Sequence, residues 1–128
     1  MKKKKDGSRY KNYLFNYKVW LSSITGQGII DNSKYELLKL IKEKGSLKAA
    51  VEEADISYRK AWGDLKTAEE HLGYPIITKQ RGGKEGGTTV LTPKGEKLIE
   101  AYEALQEKFD DSVEEAFQEF QRKIKDNQ

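Results

Sequence analysis

The sequence predicts a mainly α-helical protein with small β hairpins. Apolar residues recur every three or four positions in four separate stretches, which is the period of an amphipathic helix. Two further stretches place short β-branched or aromatic runs on either side of glycine-containing turns, as hairpins do. The length of 128 residues suits a single domain.

Composition narrows the class of protein. The chain has no cysteine, which excludes disulfides, thiolate metal sites and cysteine nucleophiles, and its single histidine leaves no metal site or catalytic dyad to expect. No apolar run reaches the ~18–20 residues that a membrane span needs. The run Lys2–Lys5 has no apolar stretch behind it, so we expect no signal peptide. These features favour a cytoplasmic protein that is not an enzyme.

The net charge of +3 conceals an uneven distribution. Residues 1–18 hold seven basic side chains and one acidic side chain, whereas residues 96–128 hold five basic and ten acidic ones. An asymmetry of this kind predicts one part that faces a polyanion and another that faces solvent or a protein partner.

The first hairpin is predicted to follow a disordered basic arm over residues 1–12. From Tyr13 to Leu21, aromatic and β-branched residues alternate with others, which is a strand pattern. The turn at 25–28 and the pair Ile29–Ile30 complete a strand pair.

Three helices are predicted next. The first is capped by Asp31, Asn32 or Ser33 and stops at Gly45. Ser46 and Ser57 cap the second and third, which only two residues, Asp55 and Ile56, separate. The inward stripe of the third helix contains Ala61, Trp62, Leu65 and Ala68, so Trp62 is assigned to the core; Gly73 ends the helix.

A second hairpin is predicted from the short strands 76–78 and 88–91. The loop between them, 79–87, is basic and contains four glycines. A phosphate-binding P-loop would need Lys-Ser/Thr directly after its last glycine, but Thr88-Thr89 follows Gly87 and no helix begins there. The loop therefore fits a hairpin tip, with cations suited to phosphate contacts.

The last helix begins at Thr92-Pro93, since proline fits the first helical position. About 30 helical residues would span ~45 Å, more than a small domain covers. Its outer half either frays or pairs with a second copy of the chain, and its regular apolar stripe between acidic flanks favours pairing. The predicted dimerisation residues are Leu105, Phe109, Val113, Phe117 and Phe120.

Together these elements form a winged helix-turn-helix pattern, in which the third helix is a recognition helix and the second hairpin a wing. Such a helix directs its N-terminus, with free N–H groups, at DNA. We expect a winged helix-turn-helix domain over 13–95 and a dimerisation helix over 96–128. The predicted DNA contacts are Ser57, Tyr58, Arg59, Lys60, Lys66, Lys79, Arg81, Lys84 and Thr88.

Four short stretches resemble the DNA-binding domain of bacterial molybdate-dependent regulators (the ModE group), relatives of the LysR-type winged-helix proteins. They are Gly-Ser-Leu-Lys-Ala-Ala (45–50), Ile-Ser-Tyr-Arg-Lys-Ala-Trp (56–62), Arg-Gly-Gly-Lys-Glu-Gly-Gly (81–87) and Val-Leu-Thr-Pro-Lys-Gly (90–95). The resemblance covers about residues 13–120. It implies a homodimer on double-stranded DNA, with two recognition helices in successive major grooves and wings on flanking DNA.

Two features depart from that family. Position 55 is Asp where the turn usually has Gly, although Asp tolerates the left-handed conformation. The family's regulators carry molybdate-binding modules after the long helix, whereas this sequence ends at Gln128 without an identifiable oxyanion pocket. We therefore expect no cofactor and identify no small-molecule effector.

The leading hypothesis is a sequence-specific, DNA-binding transcriptional regulator. The alternative is a winged-helix protein–protein interaction module that has lost DNA binding, because Asp64, Glu69 and Glu70 would repel phosphate if they faced it. An enzyme is the weakest option, since His71 stands alone near a helix end and no acid/base pair converges. The run Lys2–Lys5 is equally consistent with a solubilising tail and with an arm along the DNA backbone.

Overall fold

The protein is mainly helical, with two small antiparallel strand pairs, as the sequence predicts. A computed structural model describes residues 14–82 and 86–126. The predictions for the arm at 1–12 and for Lys84 lie outside these residues. In chain order the elements are β1 (Leu21–Ser22), β2 (Gly28–Ile30), α1 (Asn32–Lys44), α2 (Leu47–Ala54), α3 (Tyr58–Leu72), β3 (Ile77–Gly82), β4 (Gly86–Leu91) and α4 (Pro93–Asp126).

The chain divides into two compact units. The first comprises Val19–Ala101 and holds both strand pairs, the first three helices and the beginning of α4. Its core is formed where α1, α2 and α3 pack with the base of the second hairpin. The largest fully buried side chains there are Leu38, Ile41, Leu47, Leu65, Ile76 and Ile77.

Local signals fix the ends of the first three helices. Asp31 is the cap of α1, and its carboxylate accepts a hydrogen bond from Lys34 N at 2.9 Å. Ser46 caps α2 in the same way, accepting from Ala49 N at 3.0 Å. Gly45 and Gly73 end α1 and α3 in the left-handed conformation, which glycine adopts without steric cost.

The beginning of α4 is locked to the chain just before β3. Thr92 donates its side-chain hydroxyl to Pro75 O at 2.8 Å, and its backbone N–H donates to Ile76 O at 3.0 Å. Gly95 lies so close that an added Cβ would stand 2.4 Å from Ile76 O. Glycine at position 95 therefore permits a contact that any other residue would obstruct.

The second unit combines the outer part of α4, from Tyr102, with the described residues before Val19. The strand predicted to begin at Tyr13 is wrong over most of its length, because only Leu21–Ser22 pairs with β2. Instead, Phe15 stacks on Phe117 with ring centroids 5.6 Å apart, and the Tyr17 hydroxyl donates to the Asp110 carboxylate. Alternating aromatics can pack an extended segment on a helix as well as on a sheet.

No described helix combines the length and apolarity needed to cross a bilayer.

Candidate nucleic-acid interface

The turn between α2 and α3 is as tight as the sequence predicts. Asp55 adopts the left-handed conformation, with φ 58° and ψ 49°, and Ile56 N donates to Val51 O at 3.1 Å. Asp is among the non-glycine residues that tolerate this region, so the turn forms without the glycine usual in the resembled family. The turn thus separates the end of α2 from the beginning of α3 by three residues, Asp55 to Ser57.

The N-terminus of α3 is an exposed, cationic helix end. The Ser57 hydroxyl accepts a hydrogen bond from Lys60 N at 3.1 Å, which caps the helix. Arg59 and Lys60 are both exposed in the first turn, where there is no acidic residue. The positive end of the helix dipole and two cations therefore act in the same place.

Two of the predicted DNA contacts on α3 also pair with carboxylates. Lys60 Nζ lies 3.4 Å from Asp64 and Lys66 Nζ lies 3.2 Å from Glu69. The Lys60 side chain remains 78% exposed. Exposed ion pairs of this kind contribute little free energy, so they leave Lys60 able to exchange Asp64 for another anion.

Glu69 has a structural role that the sequence analysis missed. Its side chain is 11% exposed, and one carboxylate oxygen accepts from Ile76 N and Ile77 N at 2.8 and 3.0 Å. The carboxylate therefore joins the end of α3 to the beginning of β3. The expectation that Glu69 would repel phosphate does not apply, because its charge is occupied by backbone N–H groups and Lys66. Sequence spacing carries no signal for this contact.

The assignment of Trp62 to the core is wrong. Trp62 is 40% exposed, whereas Ala61, Leu65 and Ala68 are buried on the same helix. At 100° per residue, position 62 lies at the border of the apolar stripe, where periodicity alone does not decide burial. Lys66 Nζ lies 5.4 Å from the centroid of the indole ring, a cation–π distance.

The second hairpin is longer and more regular than predicted. β3 and β4 pair in continuous register from Ile77↔Leu91 to Gly82↔Gly86. Most of the predicted 79–87 loop therefore belongs to the paired strands. Lys79 and Arg81 are exposed and share one face, because side chains alternate along a strand. Thr88 is exposed on the other face, opposite Gln80, so the predicted wing contacts do not form a single surface.

Tyr58 links α3 to the second hairpin, the predicted wing. Its hydroxyl lies 3.4 Å from that of Thr89, a buried residue paired directly across the ladder from Lys79. Directly opposed residues place their side chains on the same face of a strand pair. The contact therefore brings the first turn of α3 beside the face of the wing that carries Lys79 and Arg81. Sequence analysis named Tyr58 but not Thr89.

The predicted dimerisation residues form one stripe on the outer part of α4. Leu105, Phe109 and Phe120 are 46%, 43% and 54% exposed, whereas Val113 and Phe117 are half-buried. Phe117 stacks on Phe15 and also on Phe120, at 6.3 Å between centroids. The stripe is thus covered at Phe117 from within the chain and is more open elsewhere.

Within the described part of the chain, no cluster of His, Asp and Glu side chains could hold a metal ion. His71 is exposed, and its Nε2 lies 2.9 Å from the side-chain oxygen of Gln27. It therefore lies at the surface near the end of α3.

Comparison with known proteins finds several relatives that match between 55% and 66% of this chain. The molybdenum-pterin-binding protein MopB of Rhodobacter capsulatus is 46% identical over 70 residues, which is 55% of this chain and 26% of MopB. The transcriptional regulator ModE of Haemophilus influenzae is 36% identical over 60% of this chain and 30% of its own. The DNA-binding transcriptional dual regulator ModE of Escherichia coli K12 is 35% identical over 75 residues, which is 59% of this chain and 29% of that protein. The chain thus matches about a quarter to a third of the length of these relatives, and no protein-family model matches it.

Proposed function

Because the chain is a relative of the ModE-type regulators over more than half its length, we propose that it is a transcriptional regulator that binds duplex DNA sequence-specifically, as a homodimer. The recognition helix α3 enters the major groove, and the wing face with Lys79 and Arg81 contacts flanking phosphates. The dimer forms through the outer part of α4.

The charge order along α3 carries this proposal. Helices are stabilised by acidic side chains in the first turn and basic ones in the last turn. α3 departs from this order at its beginning, where Arg59 and Lys60 lie in a first turn without an acidic residue, and Glu69 and Glu70 precede His71 near its end. Cations at the N-terminus of a helix oppose its stability, and proteins break such local rules mainly at functional sites. The charges of α3 therefore indicate that this helix end binds another molecule. A polyanion at the N-terminus is the partner that this order favours.

We assign the direct recognition of base edges to the first turn of α3. Arg59 is exposed beside the capped N-terminus, and a guanidinium can bond two acceptors on a guanine edge. Lys60 and Lys79 carry ammonium groups, which have less geometric selectivity than a guanidinium and suit phosphate contacts. Arg81 is assigned to phosphate because it lies on the wing and not at the N-terminus of α3.

Binding to a pool of random duplex DNA tests the proposal. We expect the chain to enrich a sequence motif, and the logarithm of its affinity for that duplex to fall linearly with the logarithm of salt concentration. Arg59→Ala should abolish the preference for the enriched duplex over an unrelated one. Lys79→Ala and Arg81→Ala should weaken both duplexes alike, and Lys42→Ala, an exposed cation on α1, should change neither.

Two outcomes would contradict the proposal. A wild-type chain that enriches no motif and binds no duplex at low salt is not a DNA reader. If such a chain instead binds a fixed protein partner through the same surface, the interaction module is favoured, and the exposed Asp64 and Glu70 are the carboxylates that would serve it. A changed base preference in Arg81→Ala would instead make the wing a reader of bases.

The homodimer has its own test. Phe109→Ser removes an exposed apolar side chain from the α4 stripe, so we expect sedimentation equilibrium to shift from dimer to monomer. Lys108→Ser, at the neighbouring exposed position outside the stripe, is the matched control. A wild-type chain that sediments as a monomer at high micromolar concentration would refute dimerisation.

A further inference from the structure

We infer that Trp62 anchors the sugar–phosphate strand that crosses between α3 and the wing, and that it does so without reading bases. The inference rests on the proposed function and assigns an additional contact residue to the same interface.

Trp62 lies on the flank of α3 that faces the wing. Residues 58, 62, 66 and 69 follow one another at helical spacing and so share one side of the helix. Both ends of this row contact the second hairpin or its base: Tyr58 approaches Thr89, and Glu69 accepts from Ile76 N and Ile77 N. Trp62 therefore stands in the crease between the recognition helix and the wing.

A DNA backbone strand must pass along this crease if the proposed function holds. A helix in the major groove and a hairpin on the flanking DNA are separated by the strand that borders the groove. The crease has cations on both sides, namely Lys66 on α3, which also pairs with Glu69, and Lys79 and Arg81 on β3. Their charge complements that of the strand.

The chemistry of the indole suits a sugar–phosphate strand. Its N–H is a donor with no acceptor function, and phosphate oxygens are acceptors only. The apolar ring, 40% exposed, can cover the face of a deoxyribose, and Lys66 at 5.4 Å from the ring centroid adds a charge beside it. The core does not need the exposed part of this side chain, because Ala61, Leu65 and Ala68 form the buried stripe.

Fluorescence tests the contact directly. The chain has two tryptophans, so Trp20→Phe leaves Trp62 as the single indole emitter. With the enriched duplex present and binding followed by anisotropy in the same sample, we expect acrylamide to quench Trp62 several-fold less efficiently than in the free protein. Unchanged quenching in a sample that anisotropy shows to be bound would overturn the inference while leaving DNA binding intact.

Affinity measurements separate an anchor from a base reader. Trp62→Ala should weaken the enriched and the unrelated duplex equally, by roughly tenfold, the effect of one hydrogen bond to a charged group. Trp62→Phe keeps a ring and loses the N–H, so its loss should be smaller. Because the indole is neutral, neither variant should change the salt slope, whereas Lys79→Gln, at an exposed cation of the wing, should reduce it by about one.

The results that refute the inference differ from those that refute the proposed function. An altered motif in Trp62→Ala would make Trp62 a base reader, and an unchanged affinity would remove it from the interface. If the wild-type chain binds no duplex at all, the proposed function fails and this inference fails with it. Far-UV circular dichroism checks that both Trp62 variants remain folded.

Discussion

The helices α3 and α4 are both amphipathic, but they differ in the charges at their ends. α4 has Glu96 beside Lys94 in its first turn and the basic Lys123 and Lys125 in its last turn, as the helix dipole favours there. α3 begins with Arg59 and Lys60 and ends near Glu69 and Glu70. The last turn of α4 thus follows the helix dipole, whereas the charges of α3 are arranged for other groups: the proposed DNA at one end and the base of the wing, through Glu69, at the other.

The two helices also differ in how far their apolar side chains are buried. Ala61, Leu65 and Ala68 of α3 are buried within one unit. On the outer part of α4, Leu105, Phe109 and Phe120 remain 43–54% exposed. A regular apolar stripe therefore predicts a helix reliably but does not reveal whether its partner belongs to the same chain.

The largest expected effect on stability is the difference between two glycine-to-alanine substitutions, one in α4 and one in α3. Gly95→Ala at the beginning of α4 places a Cβ 2.4 Å from Ile76 O, so we expect a loss of about 3 kcal/mol in the free energy of unfolding, since the backbone atom it meets yields little. Gly63→Ala in α3 meets nothing within 4 Å and should stabilise the protein by about 1 kcal/mol. Urea unfolding at one fixed protein concentration measures both. Equal effects would show that the beginning of α4 is not locked to Ile76.

A smaller effect distinguishes the two acidic residues near the end of α3. Glu69→Ala leaves Ile76 N and Ile77 N without their acceptor, so we expect a loss of about 2 kcal/mol. Glu70→Ala, the exposed neighbour, should change stability by less than about 0.5 kcal/mol. Thermal unfolding followed by circular dichroism compares them. If both variants unfold alike, Glu69 is another surface charge and does not join α3 to β3.

The smallest effect tests the cations at the beginning of α3. Arg59→Glu places an acidic residue in the first turn of α3, which should raise the free energy of unfolding by roughly 0.5 kcal/mol. The same variant should lose detectable binding to the enriched duplex. Glu96→Gln in α4 removes a favourable charge and should lower stability by a similar amount without affecting DNA affinity. If the Arg59→Glu variant is destabilised and still binds DNA, the interpretation that the cations at the beginning of α3 serve DNA binding is wrong.

Elements whose cause is local were predictable from the sequence. Asp31, Ser46 and Ser57 cap helices, and Gly45 and Gly73 end them, because these residues satisfy or permit the backbone within three or four positions. Asp55 was predicted to tolerate the left-handed turn, and it does. The ModE resemblance, drawn from short stretches of the same region, is confirmed by the relatives found.

Features that depend on distant residues were not predictable. The aromatic alternation before β1 indicated a strand, but Phe15 packs on Phe117, 102 positions away in the sequence. Trp62 lies at the border of its helix stripe, so its exposure depends on neighbours that periodicity does not specify. The roles of Thr89 and Glu69 arise from contacts across 31 residues and across seven and eight residues respectively, and no local pattern encodes them.

The sequence by itself determined the helices, the caps at Ser46 and Ser57, the tight turn, the presence of the second hairpin and the cationic N-terminus of α3, because each follows from hydrogen bonding and periodicity over a few residues. Only the tertiary structure decided which face of the wing accompanies α3, why Gly95 is required and where Trp62 stands. Those outcomes depend on side chains and backbone atoms from separate elements meeting at distances of a few ångströms. Such close packing is the part of the fold that local chemistry does not specify.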